Sequence, residues 1–222
     1  QDYGNLSDEF NDFRVRAIAP PYIYVHERSV ELAFLGSGDS FIQWHVPFET
    51  LEATIIQGNN SRNLAPAWVD LSLNEYQTVR MMDFRPFVDP QPFANVIPKL
   101  YAATEQDRDF VWEVWQIIAQ LTAYSSEINE TPRYPLETLL AAGGDCEDTS
   151  ILFASMIKAA PVDWDVSLVY MDSNNPTNPQ EINHVIVRVN TGTEIFLVET
   201  TSKSVMDPFT DGVRGWFFPV EG

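Results

Sequence analysis

The sequence predicts an α+β fold: a β-rich N-terminal region over residues 1–95, then a core over residues 96–222 in which a buried helix packs on an antiparallel sheet. Three observations carry this reading. Residues 22–34 and 41–56 are rich in aromatic and β-branched residues with partial alternation. The apolar period changes to helical spacing after Thr104. Finally, a stretch apolar on nearly every face, "TSILFASMIKAA", is followed by short alternating segments.

Taken in order, "YIYVHERSVELAF" and "FIQWHVPFETLEATII" read as strands, with Gly36-Ser37-Gly38-Asp39 as the turn between them. The proline-rich stretch Asp83–Pro98 reads as an irregular connector. Phe110, Val114, Ile117, Ile118 and Leu121 then form one stripe of an amphipathic helix. Thr104 is its expected N-cap, with Glu105 and Asp107 in the first turn, where the dipole favours acids. Residues 125–135 form a loop, and "LETLLAAGG" a short helix ended by glycine. The helix after Cys146 is expected to be buried and central. Trp164, Val166, Leu168 and Tyr170 alternate as in a strand, and "HVIVRV" and "EIFLVE" pair through "NTGT" as a hairpin.

Composition narrows function. The 222 residues can bury a real core, and 45% hydrophobic content with six tryptophans argues against disorder. There are 32 acidic against 13 basic residues, a net charge of −19, and the lysines are Lys99, Lys158 and Lys203. Such a surface repels nucleic acid and anionic membranes, because phosphate binding needs basic patches that are missing here. No apolar run approaches a membrane-spanning length, so no membrane contact by this segment is expected. No D-x-[DN]-x-[DN]-G loop appears; calcium is a weak expectation, and no cofactor is called for. One cysteine excludes an internal disulfide and a multi-cysteine zinc site. The chain begins at Gln1, which suggests a processed N-terminus, and Asn5, Asn59 and Asn129 fit the N-glycosylation pattern. Together these favour an extracellular or cell-surface setting.

"GGDCEDTS", residues 143–150, holds the one thiol. At a helix N-terminus, unpaired backbone N–H groups and the dipole favour thiolate, and the same N–H groups could meet an oxyanion. Gly143 and Gly144 would give backbone freedom and space for substrate, and Asp145 would cap the helix. Asp145, Glu147 and Asp148 also raise the thiol's pKa by repulsion, so a cation must stand close by. Of the three histidines, His26 and His45 lie in the β-rich half and read as structural. His184 opens a strand after a polar loop, a natural cleft edge. If "NTGT" closes the hairpin with two residues (191 and 192) or four (190 to 193), His184 faces Glu199, and directly opposed residues share one face. A three-residue loop would reverse the faces. Alone, each residue is commonly structural: a packing cysteine, a satisfied histidine, a solvated strand-end acid. Their conjunction points to an activated thiol with an oriented imidazole.

These residues resemble the transglutaminase-like superfamily of cysteine enzymes with a papain-like fold, and within it the archaeal extracellular branch. "YPLETLLAAGGDCEDTSILFASMIKA" (134–159) is similar to the stretch around that branch's nucleophile, and "HVIVRV" and "LVETTS" to its histidine and acid strands. The likeness covers residues 95–202 well and 41–95 faintly. It implies a papain-like core in which Cys146 is the nucleophile, His184 the general base and acid, and Glu199 the orienting carboxylate. Glu199 in "VETT" departs from the superfamily's usual D-x-T. An upstream oxyanion donor is also implied, with Tyr134, Trp112 and Trp115 as candidates and Asp145 and Asp148 beside the thiol. The expected activity is that of a cysteine peptidase or amidase acting on protein or peptide through an acyl-thioester. The alternatives are a protein-crosslinking acyltransferase and a non-catalytic extracellular scaffold that kept the fold.

Overall fold

β-Branched and aromatic residues extend the chain first. In the computed structural model, which describes residues 21–36, 41–62, 66–126, 131–209 and 212–221, strands β1 (Tyr22–Val25), β2 (Ser29–Leu35) and β3 (Phe41–Pro47) form an antiparallel sheet in that order. Alternation in β2 sends Val30, Leu32 and Phe34 into the core and leaves Glu31 on the other face, opposite Tyr24 and His45. Of the turn expected over Gly36–Asp39, residues 37–39 lie outside the described residues.

The strand expected to reach Ile56 ends at Pro47, and Phe48 opens helix α1 (Phe48–Arg62). Proline cannot donate to the ladder, and the next residues have a helical period: Leu51, Thr54 and Gly58 are buried while those between are exposed. Asn59 is exposed on this helix; Asn5 and Asn129 lie outside the described residues.

Strands β4 (Trp68–Asn74) and β5 (Gln77–Met82) pair as a hairpin. The proline-rich connector holds two single 3-10 turns, Arg85–Phe87 and Gln91–Phe93, each with proline in its first positions. Helix α2 (Ile97–Ala103) follows. Thr104 ends α2, its hydroxyl donating to the Tyr101 carbonyl at 2.8 Å, so it does not begin the next helix. Helix α3 (Asp107–Leu121) starts after Gln106, with Asp107 and Asp109 in its first turn and all five stripe residues buried.

The two-residue strand β6 (Ala123–Tyr124) pairs in parallel with β7 (Gly143–Gly144), and helix α4 (Pro135–Leu140) lies between them in sequence. The α4 helix ends on Ala142 at φ +51°, not on glycine. Gly143 is instead committed to the short ladder.

Helix α5 (Cys146–Lys158) is buried from Glu147 to Ile157, as its all-round apolar surface requires. It packs on an antiparallel sheet of β8 (Asp165–Met171), β9 (His184–Asn190), β10 (Ile195–Val198) and β11 (Trp216–Pro219), ordered β10-β9-β8-β11. The fold is thus α+β, with a central helix on an antiparallel sheet. The β8 strand is buried on both faces: Val166, Leu168 and Tyr170 join the main core, and Val169 and Met171 join a second cluster with Ile186. Alternation alone showed one of those faces.

The expected boundary at residue 95 falls between the second 3-10 turn and α2. The main core continues across it, from Leu32 and Phe34 through Phe93 and Ile97 to Phe110 and Leu168. No helix among the described residues is long and apolar enough to cross a membrane.

Candidate functional site: a thiol, an imidazole and a carboxylate

Cys146 is the first residue of α5, the helix that packs on β9. The start of that helix is tied to the residue that follows His184. The Ser150 hydroxyl, one turn on, donates to the Val185 carbonyl at 3.0 Å. The Thr200 hydroxyl lies 2.9 Å from that of Thr149 and 3.1 Å from that of Ser150. All three hydroxyl residues are buried. A fully satisfied buried network of this kind fixes the helix start against both the histidine strand and the acid strand.

His184 is the first residue of β9 and pairs with Met171 of β8. The polar loop ahead of it is organised by Asp172, which accepts backbone N–H bonds from Asn174, Asn175 and Gln180 at 2.9–3.0 Å. His184 Nε2 lies 2.6 Å from Glu199 Oε2, with the imidazole and carboxylate side chains 13% and 11% exposed. The other carboxylate oxygen accepts from the Thr201 amide at 2.9 Å and the Thr201 hydroxyl at 2.6 Å. The Glu199 backbone is fixed too: its N–H donates to Met206 at 2.7 Å, and its carbonyl accepts from the Trp115 indole at 2.9 Å. Burial pushes the Glu199 carboxyl up, but the His184 and Thr201 partners outweigh it and hold the pKa below the ordinary glutamate value.

His184 and Glu199 thus meet, through a register two residues from the expected one. Asn190 pairs with Ile195 and Val187 with Val198, so the hairpin closes over Thr191–Glu194 with Gly192 at φ +90°. A shift of two preserves the faces. Glu199 lies just past the end of β10 and reaches His184 diagonally.

The surroundings of the sulfur are acidic. Burial, then the Glu147 charge, raises the Cys146 pKa well above the ordinary thiol value, although the helix terminus favours thiolate. The thiol donates to Glu147 Oε2 at 3.3 Å. Burial and the nearby Asp145 push Glu147 up to about 8, so this carboxyl is largely protonated at neutral pH. Burial pushes Asp148 up to about 6, while Arg133 ties it down with a backbone N–H at 2.9 Å and a guanidinium N–H at 3.3 Å.

Other expected residues take different places. Asp145 sits at the N-cap, but its side chain makes no capping bond and its Oδ1 is buried without a hydrogen-bond partner. Gly143 and Gly144 leave no room for substrate. A Cβ on Gly143 would come within 2.5 Å of the Ala123 carbonyl oxygen, and one on Gly144 within 2.5 Å of Asp148 Cβ. These glycines permit close packing. Tyr134 is buried against Phe87 and its backbone caps α4. Trp112 is 40% exposed, packs at a tilt against Trp115 and lines an outer groove with Arg108 and Asp207. A cavity of about 700 Å³ between β3 and α2 is lined by none of Cys146, His184 and Glu199.

Sequence reasoning missed Tyr124, Arg133 and Thr200. Tyr124 pairs with Gly144, and its hydroxyl pKa is raised first by burial and then by Cys146, Asp145, Glu147 and Glu199. It therefore borders the site, through a two-residue parallel ladder that no local pattern announces.

No family model matches the chain, and no curated protein matches it. Among solved structures, it is similar to a candidate cysteine protease of Cytophaga hutchinsonii, with 15% identity and a TM-score of 0.43. That match covers 62% of this chain and 46% of the other. A candidate protease of Parabacteroides distasonis aligns at 11% identity and TM-score 0.40, over 85% of this chain and 42% of that one. Legionella pneumophila LapG aligns at 15% identity and TM-score 0.32, covering 57% of this chain and 81% of LapG. The chain thus spans under half the length of the first two.

Proposed function

We propose that this protein is a thiol-dependent amide-bond hydrolase of the transglutaminase-like superfamily, in its archaeal extracellular branch, working on protein or peptide outside the cell or at its surface. The single observation that carries the reading is the 2.6 Å His184–Glu199 pair on a strand whose next residue, Val185, is hydrogen-bonded to the helix that Cys146 begins.

In this reading the thiol is protonated at rest and passes its proton to His184 as attack begins. A C–S bond forms at the substrate carbonyl carbon, and backbone N–H groups at the start of α5 meet the developing oxyanion. His184 returns the proton to the departing nitrogen as the C–N bond breaks, leaving an acyl-thioester. Water then gives a proton to His184 and attacks the thioester carbonyl; the C–S bond breaks, releasing the acid, and His184 returns the proton to the sulfur. Glu199 orients the ring and stabilises its cation between the two transfers.

Iodoacetamide labelling near pH 6 tests the activated thiol. Because the resting thiol is protonated, modification of Cys146 is expected to depend on proton removal by His184, slowing about 100-fold in His184→Ala and less in Glu199→Gln. Equally sluggish labelling of the parent chain and His184→Ala would overturn the reading and leave a binding scaffold. Incubating a peptide library with the parent chain and Cys146→Ala, read by mass spectrometry with an added amine, separates hydrolysis, the expected product, from amine transfer.

A further inference from the structure

Two of the three histidines take no part in that chemistry, yet they are not isolated. His26, just after β1, and His45, on β3, flank Glu31 on β2, with Glu31 and His45 directly opposed in the ladder. His26 Nε2 is 2.7 Å from Glu31 Oε2, and His45 Nε2 is 4.0 Å from the same oxygen. One ligand atom from each residue lies within 4.8 Å of the other two. The arrangement follows from sheet physics, because residues of one face on three adjacent strands converge.

We propose that His26, Glu31 and His45 form a binding site for a divalent transition-metal ion, with zinc as the fitting occupant. The donor set is two imidazoles and a carboxylate, a combination suited to zinc and its neighbours rather than to magnesium or calcium, which prefer oxygen ligands. Zinc bonds of about 2.0–2.1 Å in tetrahedral geometry set ligand atoms about 3.3 Å apart. The present separations, 2.7 and 4.0 Å to the carboxylate and all within 4.8 Å, bracket that value, so side-chain shifts of about 1–2 Å close the site.

The carboxylate is already oriented for this task. Glu31 Oε1 accepts from the Tyr22 hydroxyl at 2.6 Å and the Gln43 amide at 2.7 Å, which leaves Oε2 turned to the two imidazoles. Outer partners of this kind fix a ligand's direction and typically matter tenfold or more to affinity. Access is open: the Glu31 side chain is 9% exposed, while those of His26 and His45 are 40% and 57% exposed. A bound ion would fasten three strands at one point and keep a coordination position facing water. The site shares no residue with Cys146, His184 and Glu199.

The experiment is a calorimetric titration with zinc chloride of the full chain carrying Cys146→Ala, which removes the thiol as a competing ligand. One equivalent should bind, with a melting temperature that rises with zinc concentration. His26→Ala and His45→Ala should each abolish saturable binding, and Tyr22→Phe should weaken it about tenfold. Cobalt(II) should give the visible absorption of a tetrahedral site, lost in the same variants. Circular dichroism and a metal-free melt matching the parent would show that these variants fold. No saturable binding in the Cys146→Ala chain would overturn the proposal, leaving a hydrogen-bonded polar cluster. So would one equivalent bound equally well by folded His26→Ala and His45→Ala. Neither result bears on the thiol chemistry, which iodoacetamide labelling tests separately.

Discussion

Glu147 is the residue that most shapes how Cys146 titrates. Its acidic character is plain in the sequence, but its protonation state is not, because that depends on burial beside Asp145. Glu147→Gln removes a charge that raises the thiol pKa. Iodoacetamide labelling of Glu147→Gln should therefore match the parent near pH 7, where that carboxyl is largely protonated, and outpace it roughly three- to tenfold above pH 8, where the parent carboxyl ionises, read as a rate against pH. The same group predicts a stability profile. Its folded pKa of about 8 lies above the ordinary value of 4.5, so its contribution is fully present below about pH 4.5 and lost as pH rises through 8. The unfolding free energy from denaturant titrations should fall over that window by an amount on the order of a few kcal/mol, and the fall should flatten in Glu147→Gln. A parent profile that is level from pH 5 to 8 would sink this account. Residue identities at the thiol, imidazole and carboxylate were legible one by one. Their partners Thr200 and Thr201 were not marked, and Trp115 stood only as a candidate oxyanion donor, since an indole bonded to a carbonyl across 84 residues leaves no local trace.

Among the elements, the passage from α4 to α5 is the most constrained. The pair Ala141-Ala142 looks like the tail of a helix ended by glycine, yet Ala142 takes the left-handed position at φ +51°, and Gly143 is reserved for contact with Ala123. Two substitutions follow with opposite signs. Ala142→Gly should raise stability by about 1 kcal/mol, since a Cβ is penalised in that conformation. Gly143→Ala should lower it by about 2 kcal/mol or more, because its methyl would meet a backbone oxygen that cannot yield. Chemical denaturation of both variants decides the matter, and a neutral Gly143→Ala would show that the ladder has room. Hairpin register teaches a related lesson. Alternation fixed which faces His184 and Glu199 share, while the loop position that sets the pairing depended on Gly192 and the Thr191–Glu194 turn. Parity survived a two-residue shift, so the face assignment held although the pairing did not.

The whole molecule is tied across the position where composition suggests a division. The Tyr170 hydroxyl on β8 donates to the Met82 carbonyl at 2.7 Å and accepts from the Phe84 amide at 3.0 Å. The Ser155 hydroxyl on α5 accepts from the Asp89 amide at 3.0 Å, and the Gln120 amide group pairs with both backbone polar groups of Leu35 at 2.9 Å. Phe93, fully buried, sits in the core that spans both regions. Unfolding should therefore be one cooperative transition. Phe93→Ala should cost about 3–5 kcal/mol and lower that single transition as a unit. Two separated calorimetric transitions, with only one moved by the substitution, would instead establish independent halves.

By itself the sequence determined what local physics can encode: the α+β class, the apolar stripe of α3, the all-round burial of α5, and the residue types that could carry thiol chemistry. Period and composition act over a few residues, so they survive into any arrangement of the chain. Tertiary structure decided the rest. It turned residues 48–62 into a helix, gave the two glycines to packing, set the protonation of the acids by burying them, and gathered His26, Glu31 and His45 on one sheet face. Those outcomes depend on distances between residues far apart in the chain and on the water excluded around them, and no run of neighbouring residues contains either.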